Sequence, residues 1–229
     1  MDFSATTEIK LDEALEKLKV QVPPRGKGRT TDHCERWQIH ALLVGLKKGG
    51  YLRFPITLKK RERPDFQLIS GAVSLGIEAI EAINPDYARA QTLSEAKDEH
   101  SVIDPSLFKW GNVGRSLKEL RDIVTLDKLT GTGWHGDSVE REFARSILDC
   151  VERKHKLLLN GFERFDANCL LIYHNNSTPV LDFDKGTAFA EELLKSYWST
   201  DGFDVVFVLK YRAVIVLTKG LSAIIEIES

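Results

Sequence analysis

The sequence predicts a mixed α/β fold, in which one central sheet carries helices on both faces. Helical and strand patterns alternate along the 229 residues: a helix pair, three short strands, a polar stretch, a long helix, a strand, a helix and two or three strands. The strand after the long helix can lie parallel to the third strand, because a parallel connection needs a crossover. With 42% hydrophobic and 29% charged residues, the chain resembles a globular protein with a sizeable core. We predict a single domain.

The N-terminal part contains two predicted helices. Residues 8–20 carry apolar residues at helical spacing, and a Pro-Pro pair with a basic, glycine-containing loop ends this helix at 22–32. Asp32 then precedes a broad apolar stripe that a Gly-Gly pair closes. This pattern predicts a second helix with Asp32 as its N-cap and Glu35 as the capping-box partner.

Three predicted strands follow, and short turns join them into an antiparallel meander. The strands are 51–58, 65–69 and 74–82. The next stretch, about 83–134, is polar and contains one helical piece, so we expect an insertion over one edge of the core. The core itself is expected at about 33–82 and 137–209.

The second half of the core starts with a long predicted helix. Asp137 or Ser138 is expected to cap it, and Glu140 completes a D-x-x-E capping box with Asp137. The apolar run at 167–175 has the length of a strand buried on both faces. A further helix and two or three strands complete the chain.

Two carboxylates interrupt the meander. Asp65 stands where the second strand begins, and Glu78 lies inside the otherwise apolar third strand. An ionised carboxylate in an apolar interior is very unfavourable unless it is paired or binds a metal. In a tight meander the two can converge, and two carboxylates with a backbone carbonyl suit Mg²⁺. Such an ion can activate water and neutralise the developing charge of a phosphodiester.

These residues resemble a known motif. Pro64-Asp65 followed by "EAI" at 78–80, after a helix that bears Glu35, is similar to the PD-(D/E)xK nuclease superfamily. The resemblance covers 33–82 and 137–175. It implies a restriction-endonuclease-like core in the order αβββαβ, here with an insertion and C-terminal additions.

The resemblance also implies a site and an activity. Asp65, Glu78 and the carbonyl of Ala79 would bind Mg²⁺ or Mn²⁺, and Glu35 would support them. The implied reaction is hydrolysis of phosphodiester bonds in nucleic acid, with DNA favoured over RNA. Many nucleases pair to cut two strands, so a homodimer is a further expectation.

One position departs from the family motif. The family lysine should occupy position 80, where this chain has Ile80. Lys154 is our candidate replacement, because it falls on the apolar stripe of the long helix, and Lys156 is the second choice. Glu81 would join the carboxylates only if a bulge turned it onto the same face. Without a replacement lysine, the alternative is an inactive nuclease-fold module that binds nucleic acid or a protein.

Other patterns are weaker. Basic runs at 25–29, 58–64 and 153–156 can contact phosphates without reading sequence. "GTGWHG" at 131–136 matches the glycine-rich dinucleotide motif but lacks the preceding strand that such a site needs. A third hypothesis is therefore an unrelated α/β enzyme that uses this loop for a nucleotide.

Charge and cysteine content limit the remaining classes of function. A formal charge of −2 gives no global attraction to nucleic acid, so any binding must come from a local basic patch. The three cysteines have no metal-type spacing, which predicts reduced thiols. The sequence shows neither a signal-peptide pattern nor an apolar run long enough for a membrane span. We therefore predict a cytoplasmic protein without a membrane partner.

Overall fold

The computed structural model describes residues 1–96, 102–161, 163–198 and 201–227 of the chain. Across this part, eight strands form one mixed sheet, and six α-helices accompany it. The strands are β1 Phe3–Ala5, β2 Ile56–Lys60, β3 Phe66–Ser70, β4 Val73–Ala82, β5 Ala167–His174, β6 Val205–Lys210, β7 Ala213–Thr218 and β8 Leu221–Glu226. The helices are α1 Glu8–Leu18, α2 Thr31–Lys48, α3 Pro85–Ala96, α4 Leu117–Leu126, α5 Ser138–Leu159 and α6 Phe183–Leu194. The mixed α/β class is confirmed.

The strands lie side by side in the order in which the chain makes them, from β1 to β8. Neighbours are antiparallel from β1 to β4 and again from β6 to β8. Short turns connect these antiparallel neighbours, except that α1 and α2 lie between β1 and β2. The two central pairings, β4 with β5 and β5 with β6, are parallel. Each parallel step contains a crossover helix, α5 or α6, as this geometry requires.

The sheet separates two hydrophobic cores. On the face covered by α1 and α2, buried residues such as Leu42 pack on the strand side chains that point to that face, including Ile77 and Ala79. On the face covered by α5 and α6, buried residues such as Phe143 pack on the strand side chains that point the other way, including Ile80. Because side chains alternate along a strand, each residue of β4 is assigned to one of these two faces.

The predicted insertion contains more helix than its polar sequence indicated. Besides α4, which the helical piece predicted, it forms α3, and a third small core joins the two helices. This core contains Tyr87, Phe108 and Leu120. Within the described ranges, no helix has the length and apolar character needed to cross a membrane.

Both predicted capping boxes are wrong. The N-cap of α2 is Thr30, two residues before the expected Asp32, because the Thr30 hydroxyl accepts the His33 backbone N–H while the His33 ring accepts the Thr30 N–H. Asp137 does lie at the N-cap of α5, but its side chain makes no capping hydrogen bond. Glu140 instead accepts a hydrogen bond from the backbone N–H of Asp182, at 3.2 Å.

The first meander strand also starts later than predicted. The pattern placed it at 51–58, whereas β2 runs Ile56–Lys60. Pro55 has no N–H to donate to a ladder, so the strand begins directly after it.

Candidate active site

The hairpin of β3 and β4 brings the two predicted carboxylates together. Phe66 pairs with Ile77 in the ladder, so Asp65, one residue earlier, faces Glu78, one residue later. Asp65 Oδ2 accepts a hydrogen bond from the Ala79 N–H at 2.7 Å. Burial, and next the Glu78 carboxylate, raise the pKa of Asp65, although the Ala79 N–H and two lysines oppose the shift. The sequence prediction of an acidic pair on neighbouring strands therefore agrees with the geometry.

Helix α5 supplies a lysine to this pair. Lys154 Nζ lies 2.5 Å from Glu78 Oε1, and the charge of Lys154 also acts on Asp65. The apolar stripe that indicated Lys154 turns it towards the sheet, with 19% of its side chain exposed. Lys156, the second choice, is exposed on the same helix. Of the two candidate lysines, the structure places Lys154 beside Glu78.

Glu78 retains an open acceptor. The residue is only 5% exposed, and its Oε2 atom has no hydrogen-bond partner among the described residues. A buried carboxylate oxygen without a partner is costly, so it calls for a donor or a cation. The described residues contain no cluster of three or more His, Cys, Asp or Glu side chains that could hold a metal. Mg²⁺, however, is often held by only one or two carboxylates with waters and substrate oxygens, and Asp65 with Glu78 fits that donor set.

Glu35 does not contact this pair. Its carboxylate forms an ion pair with Lys60, whose ammonium also lies 4.5 Å from the centre of the Phe66 ring. Glu35 is therefore neither a capping residue of α2 nor a neighbour of Glu78. Its link to the site runs through Lys60, because the charge of Lys60 lowers the pKa of Asp65.

Glu81 lies on the opposite face of β4 from Glu78. The pairing of β4 with β5 continues without a bulge from Leu75 to Ala82, so nothing rotates Glu81 towards Asp65. Its Oε1 atom accepts hydrogen bonds from Arg29 at 2.7 Å and Asn175 at 2.5 Å, and it also pairs with Arg25. Glu81 is therefore not a third carboxylate of the candidate site.

An aromatic residue covers one side of the site. Phe165 packs over Gly76, which lies two residues before Glu78 and on the same face of β4. A Cβ built on Gly76 would stand 2.4 Å from the Phe165 ring. Arg61 in turn lies 5.5 Å from the centre of that ring and pairs with Glu163. The turn between β2 and β3 is thereby fixed to the segment that follows α5.

The glycine-rich loop before α5 forms internal contacts. The Gly131 N–H donates to Asp104 at 2.6 Å, and the Gly133 N–H donates to the Ser106 hydroxyl at 3.2 Å. The His135 ring lies 2.9 Å from the Thr132 carbonyl oxygen. These contacts occupy loop amides that a nucleotide site would use.

Sequence reasoning did not single out Lys60. It is one cation in a basic run, and nothing in that run distinguishes the lysine that pairs with Glu35 from its neighbours. Alternation along β2 carries the only signal, since Lys60 shares its face with the buried Leu58.

No family model matches the chain, and no curated protein and no solved structure matches it. The functional argument therefore depends on the chemistry of these residues.

Proposed function

We propose that this chain is a metal-dependent nuclease that hydrolyses phosphodiester bonds, with Asp65 and Glu78 as the ligands of Mg²⁺ or Mn²⁺. One observation carries the proposal: two carboxylates from adjacent strands meet a lysine from the crossover helix, and one buried carboxylate oxygen has no partner. The carbonyl of Ala79 and the support of Glu35 through Lys60 belong to the same proposal.

The protein groups have distinct roles in this scheme. A bound Mg²⁺ would supply charge stabilisation at the phosphate and lower the pKa of a water molecule. The Lys154 ammonium has three N–H donors, and Glu78 takes one, which leaves donors for the attacking water or a phosphate oxygen. Because the pKa of Asp65 is raised, cation binding at acidic pH is coupled to loss of its proton.

Exposed cations supply the local positive charge that such a substrate needs. Lys59 is exposed on β2. It pairs with Gln67, two residues after Asp65, so Lys59 and Asp65 lie on the same face of the sheet. Arg63 is exposed in the turn just before Asp65, and Lys156 is exposed one half-turn beyond Lys154. Phosphate contacts from these residues would hold either DNA or RNA without reading its sequence. DNA is the first substrate to test.

The test compares cleavage by matched variants. Plasmid, single-stranded DNA and RNA are incubated with the purified protein and Mg²⁺ or Mn²⁺. We expect Glu78→Gln and Lys154→Met to reduce cleavage by about 100-fold or more, as loss of a group acting on the transition state does. Lys118→Met removes an exposed cation from another helix, α4, and is expected to cut normally. Unchanged cleavage by Glu78→Gln would refute the assignment.

A second candidate function is an inactive module of the same fold that binds nucleic acid or a protein. The observation that favours it is the pairing of the buried Glu78 with Lys154, which already neutralises the carboxylate without a metal. Calorimetric titration with Mg²⁺ separates the two candidates. Absence of metal binding by the folded wild type, together with salt-sensitive binding of nucleic acid, would favour the module.

The expected homodimer is tested separately. Cutting both strands of a duplex takes two sites, so sedimentation with and without duplex DNA should show two copies if the protein acts in this way.

A further inference from the structure

A polar cavity lies beside α2 and the end of β4. Neither Asp65 nor Glu78 lines it, although Glu35 and Ala79, which the proposed nuclease site also uses, do. It has a volume of about 380 Å³ and is bounded by the loop before α2, the first turns of α2 and the end of β4. Its lining includes Arg25, Arg29, Thr30, Cys34, Gln38 and Glu81. The volume falls within the range of small-molecule sites, about 300–1,000 Å³.

The wall of this cavity carries an excess of positive charge. Two guanidinium groups, those of Arg25 and Arg29, converge on the single carboxylate of Glu81. The other lining carboxylate, that of Glu35, is already paired with Lys60. The two arginine side chains are 17% and 12% exposed, so solvent screens their charge little. The Nε–H groups of Arg25 and Arg29 already donate to Gln91 and Cys34, so an anion entering the cavity would bind their remaining terminal N–H groups.

The start of α2 adds donors for an anion. Thr30 and Thr31 line the cavity at the first turn of this 18-residue helix, where the helix dipole is positive. The capping box already occupies the N–H groups of Thr30 and His33, so the donors for an anion are those of Thr31 and Asp32. A helix end alone would not define a ligand, but here it adjoins the two arginines.

A buried amide gives an independent indication of a ligand. Gln38 lines the same cavity and is only 2% exposed, yet its Oε1 atom has no hydrogen-bond partner among the described residues. Such a group normally binds a protein donor or a ligand. A hydroxyl or an N–H on the occupant would satisfy it, which an unprotonated phosphate cannot do.

We propose that this cavity binds a nucleoside monophosphate unit, either free or at the end of a nucleic-acid strand. The phosphate lies against Arg25 and Arg29, and a sugar hydroxyl or base N–H reaches Gln38. A phosphate alone would leave much of the volume empty. Neither Asp65 nor Glu78 lines this site, and binding there does not depend on them.

Cys34 provides a direct readout in the unmodified protein. It lines the cavity and is half-buried, and the Arg29 Nε–H donates to its sulfur at 2.9 Å. Cys150 and Cys169 are 0% and 1% exposed, and burial raises the pKa of both thiols, that of Cys150 to about 12. Iodoacetamide should therefore modify Cys34 first, and mass spectrometry can follow that reaction.

The experiment measures alkylation of Cys34 with added ligands. At a ligand concentration about ten times Kd, the four nucleoside monophosphates should slow alkylation by about tenfold through occupancy alone. Inorganic phosphate should protect only at higher concentration. Comparing 5′-phosphorylated with 5′-hydroxyl oligonucleotides shows whether a strand end is accepted as well as a free nucleotide. Absence of protection by every nucleotide and oligonucleotide would overturn the proposal, and so would equal protection by phosphate alone.

A variant of Gln38 separates a binding role from a structural one. Gln38→Leu removes a buried carbonyl oxygen that has no partner among the described residues, so the free protein should be no less stable. Nucleotide affinity should nevertheless fall by about threefold to tenfold, as loss of one hydrogen bond predicts, while phosphate affinity stays unchanged. An unaltered nucleotide affinity would contradict the role of Gln38. Glu78→Gln should keep full protection of Cys34, so failure of the nuclease proposal and failure of this one are distinguishable.

Discussion

The carboxyl group of Asp65 lies among groups that act on its pKa in opposite directions. Burial and the Glu78 carboxylate raise the pKa, the Ala79 N–H, Lys60 and Lys154 lower it, and the net result lies above the ordinary value of 3.8. The native state therefore binds more protons than the unfolded state in the window just above pH 3.8, and stability falls as pH rises through that window.

Asp65→Asn tests this sign. The variant should be more stable than the wild type at neutral pH, and the two unfolding free energies should converge below pH 3.8, where Asp65 is protonated in both states. Urea unfolding from pH 3 to 8 measures the difference. Asp122→Asn, which changes an exposed acid on α4, should show no such pattern. A less stable Asp65→Asn protein at neutral pH would contradict the interpretation.

Lys210 gives a second pH dependence. The residue is 4% exposed, and its Nζ donates to the Asn176 carbonyl at 2.9 Å. Burial lowers the pKa of Lys210 from 10.5 to about 8. Between these two pKa values the unfolded chain therefore binds more protons than the native state. The cost of burying a charged lysine lowers the stability of the native state below pH 8, and this cost disappears as pH rises towards 10.5.

We expect the stability of the wild type to rise relative to Lys210→Met between pH 8 and 10, by at most about 3 kcal/mol. Subtracting the unfolding free energy of one protein from that of the other removes the opposing contribution of the buried thiols. Chemical denaturation at each pH measures these unfolding free energies. Parallel pH profiles for the two proteins would show that Lys210 does not titrate as inferred.

The residues of the candidate site differ in how well the sequence could predict them. Asp65, Glu78 and Lys154 follow from periodicity, since strand alternation and the helical stripe fix where each side chain points. The pairing of Glu35 with Lys60 joins residues 25 positions apart. It depends on how α2 lies over β2, which no local pattern encodes.

At the level of elements, helix starts were the least predictable feature. Thr30, Thr31 and Asp32 are consecutive residues that all cap helices well, so propensity alone cannot choose among them. The His33 ring decides the outcome, because it accepts the Thr30 N–H in the role that Glu or Gln usually has in a capping box.

Strand β4 depends on a glycine near the site. Gly76→Ala would place a Cβ 2.4 Å from the Phe165 ring, so the ring and its segment must move. We expect a loss of about 1–3 kcal/mol in the free energy of unfolding, typical of overpacking. Gly114→Ala is the control, since a Cβ there meets nothing within 4 Å. Adding Phe165→Leu to Gly76→Ala should restore part of the loss, and no restoration would argue against this contact.

For the whole molecule, the formal charge of −2 means that nucleic acid would bind through a local surface. If the exposed cations beside the site contact phosphates, Arg63→Glu and Lys156→Glu should weaken binding and reduce the slope of log affinity against log salt by about one each. Lys219→Glu changes an exposed cation in the turn between β7 and β8 and should have little effect. Fluorescence anisotropy from 50 to 300 mM salt measures the slopes, and equal effects of all three would point to nonspecific attraction.

Most of the sheet could be predicted, because most strands have their own apolar pattern and the long helix between β4 and β5 lets these two strands run parallel. Strand β1 could not, since three residues carry no readable period. Helix α3 was missed for a related reason: it has no amphipathic stripe, and its contacts with α4 and Phe108 bury Tyr87 and Ala90 instead.

The agreement between strand order and chain order has a consequence for biosynthesis. A nascent chain emerging from the ribosome can add each strand at the free edge of the sheet already formed, and no strand has to enter between two paired ones. By the time β5 has emerged, Asp65, Glu78 and Lys154 are all available. The last three strands, β6 to β8, then only extend a sheet on which the acidic pair is already assembled.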